Sequence, residues 1–179
     1  MHCACTIQAA SIQGVASLTV QNSSMVKQAK SLNFGTLNIN DSSTFQVTHD
    51  STLTISPNGI LTMVGGSMSY NLPKSGNVIS PAVLSVANST PFTDLTLAVY
   101  PNSDIVHIDE ATNNGKFQIN RFVVINPENG QHEYESGAVI KTDKTGNLDL
   151  ALGASLTMQG DKAYRDGLYT GSYSIELHY

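Results

Sequence analysis

Apolar and polar side chains alternate along most of this chain with a period of two, in short runs closed by turn residues. Successive side chains of a strand point to opposite faces of its sheet, so runs of this kind predict half-buried strands. They fall at residues 10–20, 32–39, 44–47, 52–55, 60–64, 83–87, 95–100, 105–108, 117–125, 138–141, 148–158 and 168–179. No segment carries a convincing helical period; the nearest, Met25 to Lys30, is too short to be more than a turn. The number and spacing of the runs predict an all-β protein, an antiparallel β-sandwich of two packed sheets.

The breaks between runs have their own chemistry. Ser56-Pro57-Asn58-Gly59 joins two alternating runs and reads as a hairpin turn in which Asn or Gly takes positive φ. Asn113-Asn114-Gly115 and Asn129-Gly130 read similarly. Pro81 and Pro91 lack an amide hydrogen and belong at strand starts, edges or links. Residues 72–77 form the expected long loop.

The two ends are the most informative segments. In the last run Tyr169, Gly171, Tyr173, Ile175, Leu177 and Tyr179 share one face, with Thr170, Ser172, Ser174, Glu176 and His178 on the other. Read as one strand of ~11 residues at ~3.3 Å per residue, it would be ~36 Å long. In the first run Ile12, Gly14, Ala16, Leu18 and Val20 share a face with Ala10. That strand can pair in its own domain or insert into a neighbour's sheet, where main-chain bonds hold it and alternate side chains fill pockets. The expected division is therefore a candidate donor strand in an N-terminal extension, residues 1–20, and a single sandwich domain, residues 21–179.

Three stretches carry a family resemblance. Ser31-Leu32-Asn33-Phe34-Gly35-Thr36-Leu37 resembles the opening stretch of bacterial spore-coat-U-like and archaic chaperone–usher pilin domains. Thr52-Leu53-Thr54-Ile55-Ser56-Pro57-Asn58-Gly59 resembles a hairpin in a related family of secreted domains of unknown function. The closing Gly167-Leu168-Tyr169-Thr170-Gly171-Ser172-Tyr173-Ser174-Ile175-Glu176-Leu177-His178-Tyr179 resembles the final strand these families share. The resemblance implies an immunoglobulin-like sandwich, secretion with removal of a leader, and a place on the bacterial cell surface or in the periplasm. It implies as partners copies of the chain itself or related pilin-like subunits, with a periplasmic chaperone as a further candidate. Gly167, Tyr173, Ile175, Leu177 and Tyr179 would then wall an acceptor groove, and Ile12, Gly14, Ala16, Leu18 and Val20 would be the donor residues.

Charge narrows the partners. The 179 residues hold 9 basic and 14 acidic side chains, a formal net charge of −5. Nucleic-acid binding needs a basic stripe that displaces counterions from phosphates, and no window supplies one. The densest basic stretch, Lys27 to Lys30, reads as a solvated edge or loop. No apolar run approaches the ~20 residues of a membrane-spanning helix, so no membrane insertion is expected.

Candidate chemistry is sparse. Cys3 and Cys5 close too small a loop to staple a fold, and no further Cys or His follows until His49, so neither a metal nor another cofactor is expected. Gly65-Gly66-Ser67 lacks the second half of a nucleophile elbow. His107-Ile108-Asp109-Glu110 and residues 128–135 hold acids near a histidine, which as isolated groups read as a strand end and a solvated loop. An enzyme is therefore not expected. The rival to a structural role is a self-contained extracellular binding module for a glycan or protein ligand. The chain has no Trp, and the tyrosines left over for a sugar platform are Tyr134 and Tyr164.

Overall fold

The computed structural model describes residues 25–35, 37–39, 51–65, 68–70, 79–107, 115–130, 132–158, 164 and 168–179. The strands are β1 (Met25–Lys30), β2 (Leu37–Ile39), β3 (Ser51–Ile55), β4 (Leu61–Val64), β5 (Met68–Tyr70), β6 (Ala82–Ala87) and β7 (Asp94–Pro101). They continue with β8 (Val106–His107), β9 (Phe117–Ile125), β10 (Glu133–Tyr134), β11 (Val139–Lys141), β12 (Leu148–Met158), β13 (Tyr169–Thr170) and β14 (Tyr173–His178). One turn of 3-10 helix, Pro127–Asn129, is capped by the Asn126 side chain accepting from the Glu128 amide.

Every described strand pairing is antiparallel. The larger sheet is organised by β12, whose residues are buried on both faces over most of its length. On one edge β12 pairs β9. On the other edge it pairs β6 through Leu148–Leu152 and then β3 through Ala154–Met158. The handover falls at Gly153, where a Cβ would stand 2.2 Å from the Ile55 carbonyl oxygen, so only a glycine lets the two backbones approach this closely. β1 extends this sheet beyond β6, β4 beyond β3 and β10 beyond β9. The smaller sheet runs β11-β7-β14.

The sheets pack face to face through the inward residues that the alternation identifies. Ala82, Leu84 and Val86 of β6 meet Leu95, Leu97 and Val99 of β7, with Val124, Ile140, Leu148, Leu150 and Leu152 completing the core. A smaller core of Leu53, Phe117, Leu156 and Met158 fills the β3–β4 end. The molecule is thus an all-β antiparallel sandwich, as the period of two predicts.

Several boundaries differ from the sequence reading. Met25–Lys30 is a strand, not a turn. Residues 32–39 are not one strand: Gly35 takes φ 74°, its amide donates to the Asn33 side chain at 2.8 Å, and only Leu37–Ile39 is a strand beyond it. The closing run is also broken, into β13 and β14. β7 ends in a bend at Asn102 and Ser103, whose amides both donate to the Ser172 carbonyl (2.9 and 3.3 Å). Past that bend β13 pairs β8 instead of β7. Gly171 permits the kink: a Cβ there would lie 2.7 Å from the Ile105 side chain. The Ser56–Gly59 turn is the hairpin expected, with Gly59 at φ 79°. The runs at 10–20 and 44–47, and the loop at 72–77, lie outside the described residues.

Candidate functional site

A sandwich has two long seams where the sheet edges face each other. Here one seam is crossed by the chain itself. After β10, paired to β9, the chain turns through Ser136 and Gly137 into β11, paired to β7. The turn is fastened by the Val99 amide donating to Ser136 Oγ at 3.0 Å and the Gly137 amide donating to the Leu97 carbonyl at 2.7 Å.

The opposite seam lies between β1 and β14, each an edge strand among the described residues. β14 pairs β7 along its whole length, from Tyr173 opposite Pro101 to His178 opposite Thr96. Its inward residues Tyr173, Ile175 and Leu177 pack against the core yet remain only half-buried. On β1, Gln28 stands opposite Leu84, a core residue 3% exposed, so Gln28 faces the interior as well. It is nevertheless exposed. A polar side chain at a core-facing position is tolerated where water still reaches it. Gln28 Nε2 donates to Tyr173 Oη at 3.2 Å, which ties the two edges together at one end of the seam. Burial raises the Tyr173 phenol above its ordinary value, against the opposing pull of the Gln28 amide and the Leu32 backbone.

The two edge strands run in opposite directions. Met25 stands opposite Ala87, at the end of the sandwich where the β6–β7 connection lies, while β14 ends at this same pole. The pole is well built. Thr142, buried, donates to the Thr90 carbonyl and accepts from the Thr93 amide, both at 2.8 Å. The Ser89 amide donates to the Gly146 carbonyl at 3.1 Å.

The sequence-predicted groove wall is thus placed in part. Tyr173, Ile175 and Leu177 share one face of β14. Tyr179 follows the strand and is 64% exposed, its hydroxyl 3.3 Å from Ser89 Oγ. Tyr169 leaves the row and joins the second core, ring to ring with Phe117 at 5.1 Å. Gly167 and the donor positions Ile12, Gly14, Ala16, Leu18 and Val20 lie outside the described residues. The contribution of β1 is the part that sequence reasoning missed. Its one signal was the pair Lys27 and Lys30, the kind of charge that guards a sheet edge.

The other candidates are placed as follows. Tyr134 packs against the main core, and Tyr164 lies 4.8 Å from the Phe117 ring with its hydroxyl donating to the Lys116 carbonyl at 2.9 Å. Neither offers a free platform. His107 pairs Tyr169 across β8 and β13, and Asp109 and Glu110 lie outside the described residues. Among the described residues no group of three or more His, Cys, Asp or Glu could hold a metal ion, and no helix is long and apolar enough to cross a membrane. A shallow polar depression lies between the β7–β8 bend and β9, lined by Asn102, Ser103, Asp104, Gln118 and Asn120.

Fold and seam together define a class: an all-β sandwich in which, among the described residues, two edge strands face each other across one seam that no further strand covers. Comparison with known families adds that residues 24–179 match the model of a domain of unknown function, DUF4402, and the chain belongs to that family. No curated protein and no solved structure matches the chain.

Proposed function

We propose that this protein is a structural, pilin-like or surface-coat subunit of the bacterial cell surface that assembles by β-strand exchange. The observation that carries the reading is the β1–β14 seam, where core-facing Gln28 is exposed and Tyr173, Ile175 and Leu177 are half-buried. An incoming extended strand would find main-chain bonding partners on the edge of β14 and apolar side chains to cover. The segment with the right alternation is residues 10–20, with Ile12, Leu18 and Val20 as its large apolar members and Gly14 and Ala16 as its small ones. Full burial of a Val, Leu or Ile side chain contributes about 1.5–3 kcal/mol, so three such residues stabilise the joint substantially. The resemblance to spore-coat-U-like and archaic pilin domains, immunoglobulin-like and secreted, supports the same reading, with a periplasmic chaperone covering the seam until assembly.

In trans, head-to-tail insertion is a heterologous contact that propagates instead of closing. Leu18→Asp in the full chain is expected to abolish polymers on size exclusion and in electron micrographs while circular dichroism still shows a folded sheet protein. Polymers that persist in Leu18→Asp would remove residues 10–20 as the donor. A monomer that unfolds instead would show that the strand completes its own sandwich.

A second reading, a self-contained extracellular binding module, is favoured by the polar depression at Asn102, Asp104, Gln118 and Asn120. Its rim is ordered by reciprocal bonds between the Asn102 amide and Ser174 hydroxyl, 2.9 and 3.1 Å. Amide and carboxylate groups in a shallow cleft suit a hydroxyl-rich ligand such as a glycan. Binding of purified monomer on a glycan array, lost in Asp104→Ala, is the result this reading requires.

A further inference from the structure

We propose that β4 is a second assembly edge, through which two copies of this chain pair about a two-fold axis at Thr62. The inference is independent of strand exchange at the β1–β14 seam.

β4 lies beyond β3, on the same edge of β12 as β6 and β1 but along the opposite end of that strand. Among the described residues it pairs β3 alone. Natural sheet edges are usually guarded by charge, proline or distortion, because a free edge is a template for another strand. The other edge strands of the two main sheets carry such guards: Lys27 and Lys30 on β1, Glu133 on β10, Lys141 on β11, Glu176 on β14. β4 has none. Residues 51–73 contain no Asp, Glu, Lys, Arg or His. The strand also presents exposed apolar surface. Ile60 and Val64 lie on the solvent side with Thr62, at 64% and 68% exposure, while Leu61 and Met63 pack against the second core.

The register is self-complementary. The Ser56 amide donates to the Ile60 carbonyl at 2.9 Å, and Thr54 and Thr52 stand opposite Thr62 and Val64. Backbone bonding alternates along an antiparallel ladder, so Ile60, Thr62 and Val64 direct their amides and carbonyls toward β3. Leu61 and Met63 then direct theirs to the free edge. A second copy docked antiparallel about Thr62 sets Leu61 against Met63 of the other copy, with both bonds exchanged in each of the two pairs. On the outer face Thr62 meets Thr62, and Ile60 meets Val64. Threonine pairs and β-branched pairs are favourable cross-strand neighbours. Two copies with a net charge of −5 repel each other over most approaches, and an uncharged strand lets them meet without placing like charges face to face.

Site-directed cross-linking tests this in the full chain with Cys3 and Cys5 replaced by Ser. Thr62 would face its own copy at a non-hydrogen-bonded position, where Cα atoms stand about 4.5 Å apart, within disulfide range. Mild oxidation of Thr62→Cys is expected to give a covalent dimer in most of the protein, and Ile60→Cys alone little or none. An equimolar mixture of Ile60→Cys and Val64→Cys should cross-link again, because those positions face each other. Absence of the Thr62→Cys dimer, or equal yields at Thr62→Cys and Ile60→Cys, overturns the register and the proposal with it. Strand exchange at the other seam brings no Thr62 to its own copy, so failure of that reading leaves this result unchanged. Sedimentation of Val64→Lys is the second measurement: loss of the non-covalent pair with unchanged circular dichroism supports the edge, and an unchanged pair refutes it.

Discussion

Asp143 shows how much one carboxylate organises at the pole where β14 ends. Its Oδ1 accepts from the Thr145 amide at 2.7 Å and the Asn147 amide at 2.8 Å, and the Thr145 hydroxyl adds a further bond. These bonds hold the carboxyl below its ordinary value, the Asn147 amide contributing most and the Thr145 side chain next. A depressed carboxylate stabilises the fold at pH values above its unfolded pKa, and the contribution disappears as pH falls through the depressed folded value. Asp143→Ala should therefore melt below the native chain at pH 7, with the gap narrowing through the acidic carboxylate range. A gap that stays constant from pH 7 down to pH 2 would show that the charge is not what matters. Gly146, in the same loop, takes φ 78°, and a Cβ there would meet the Ser89 carbonyl oxygen at 1.9 Å. Gly146→Ala combines backbone strain with a clash against main chain, so a loss of about 1–3 kcal/mol or more is expected in urea titrations.

At the scale of elements, β12 is the strand on which the larger sheet depends, and its residues announced this. Leu148, Leu150, Leu152, Ala154, Leu156 and Met158 are apolar at every second position, and Ala151 and Ser155 between them are small enough to be covered by flanking strands. The hairpin at Ser56–Gly59 and the inward faces of β6 and β7 were legible for the same reason: period and turn chemistry are local. What the sequence did not reveal depends on the partner. The break between β13 and β14 is imposed by the bend at Asn102 and Ser103, which lies some seventy residues away along the chain, as the Asn102–Ser172 bond shows. β1 was obscured because its core-facing Gln28 interrupts the alternation, which is also what marks the seam as open. Tyr134 and Tyr164 could not be told from surface tyrosines until Phe117 and the main core were seen beside them. Gly153 carries a prediction at this scale. Gly153→Ala would set a methyl group against the Ile55 carbonyl and the Ser56–Pro57 backbone, so β3 and β4 must move off β12. Overpacking of this kind costs about 1–3 kcal/mol, and amide exchange should rise in β3 and β4 before it rises in β6.

For the whole molecule, the two proposed interfaces differ in symmetry, and the difference predicts the form of the assembly. Strand insertion at the β1–β14 seam is heterologous and extends a filament, whereas pairing through β4 is isologous and closes after two copies. Acting together they produce filaments joined in pairs, since β4 flanks the opposite end of β12 from β6 and β1, which leaves the two contacts on separate edge strands. The two contacts should also answer differently to salt. Lateral pairing brings together two chains of charge −5 across an uncharged strand, so it is opposed by repulsion from groups set back from the contact. The Debye length falls from ~30 Å at 0.01 M salt to ~8 Å at 0.15 M, which screens that repulsion. Strand exchange, held by main-chain bonds and buried apolar side chains, is far less sensitive. Electron micrographs of the native chain are therefore expected to show single filaments at low ionic strength and paired ones at physiological ionic strength. Val64→Lys should give single filaments at both, because a lysine then faces the apolar Ile60 of the opposite copy across the contact. Filaments of Val64→Lys that still pair would place the lateral contact elsewhere, and pairing that weakens as salt rises would show that charge attraction, not a neutral strand edge, holds the filaments together.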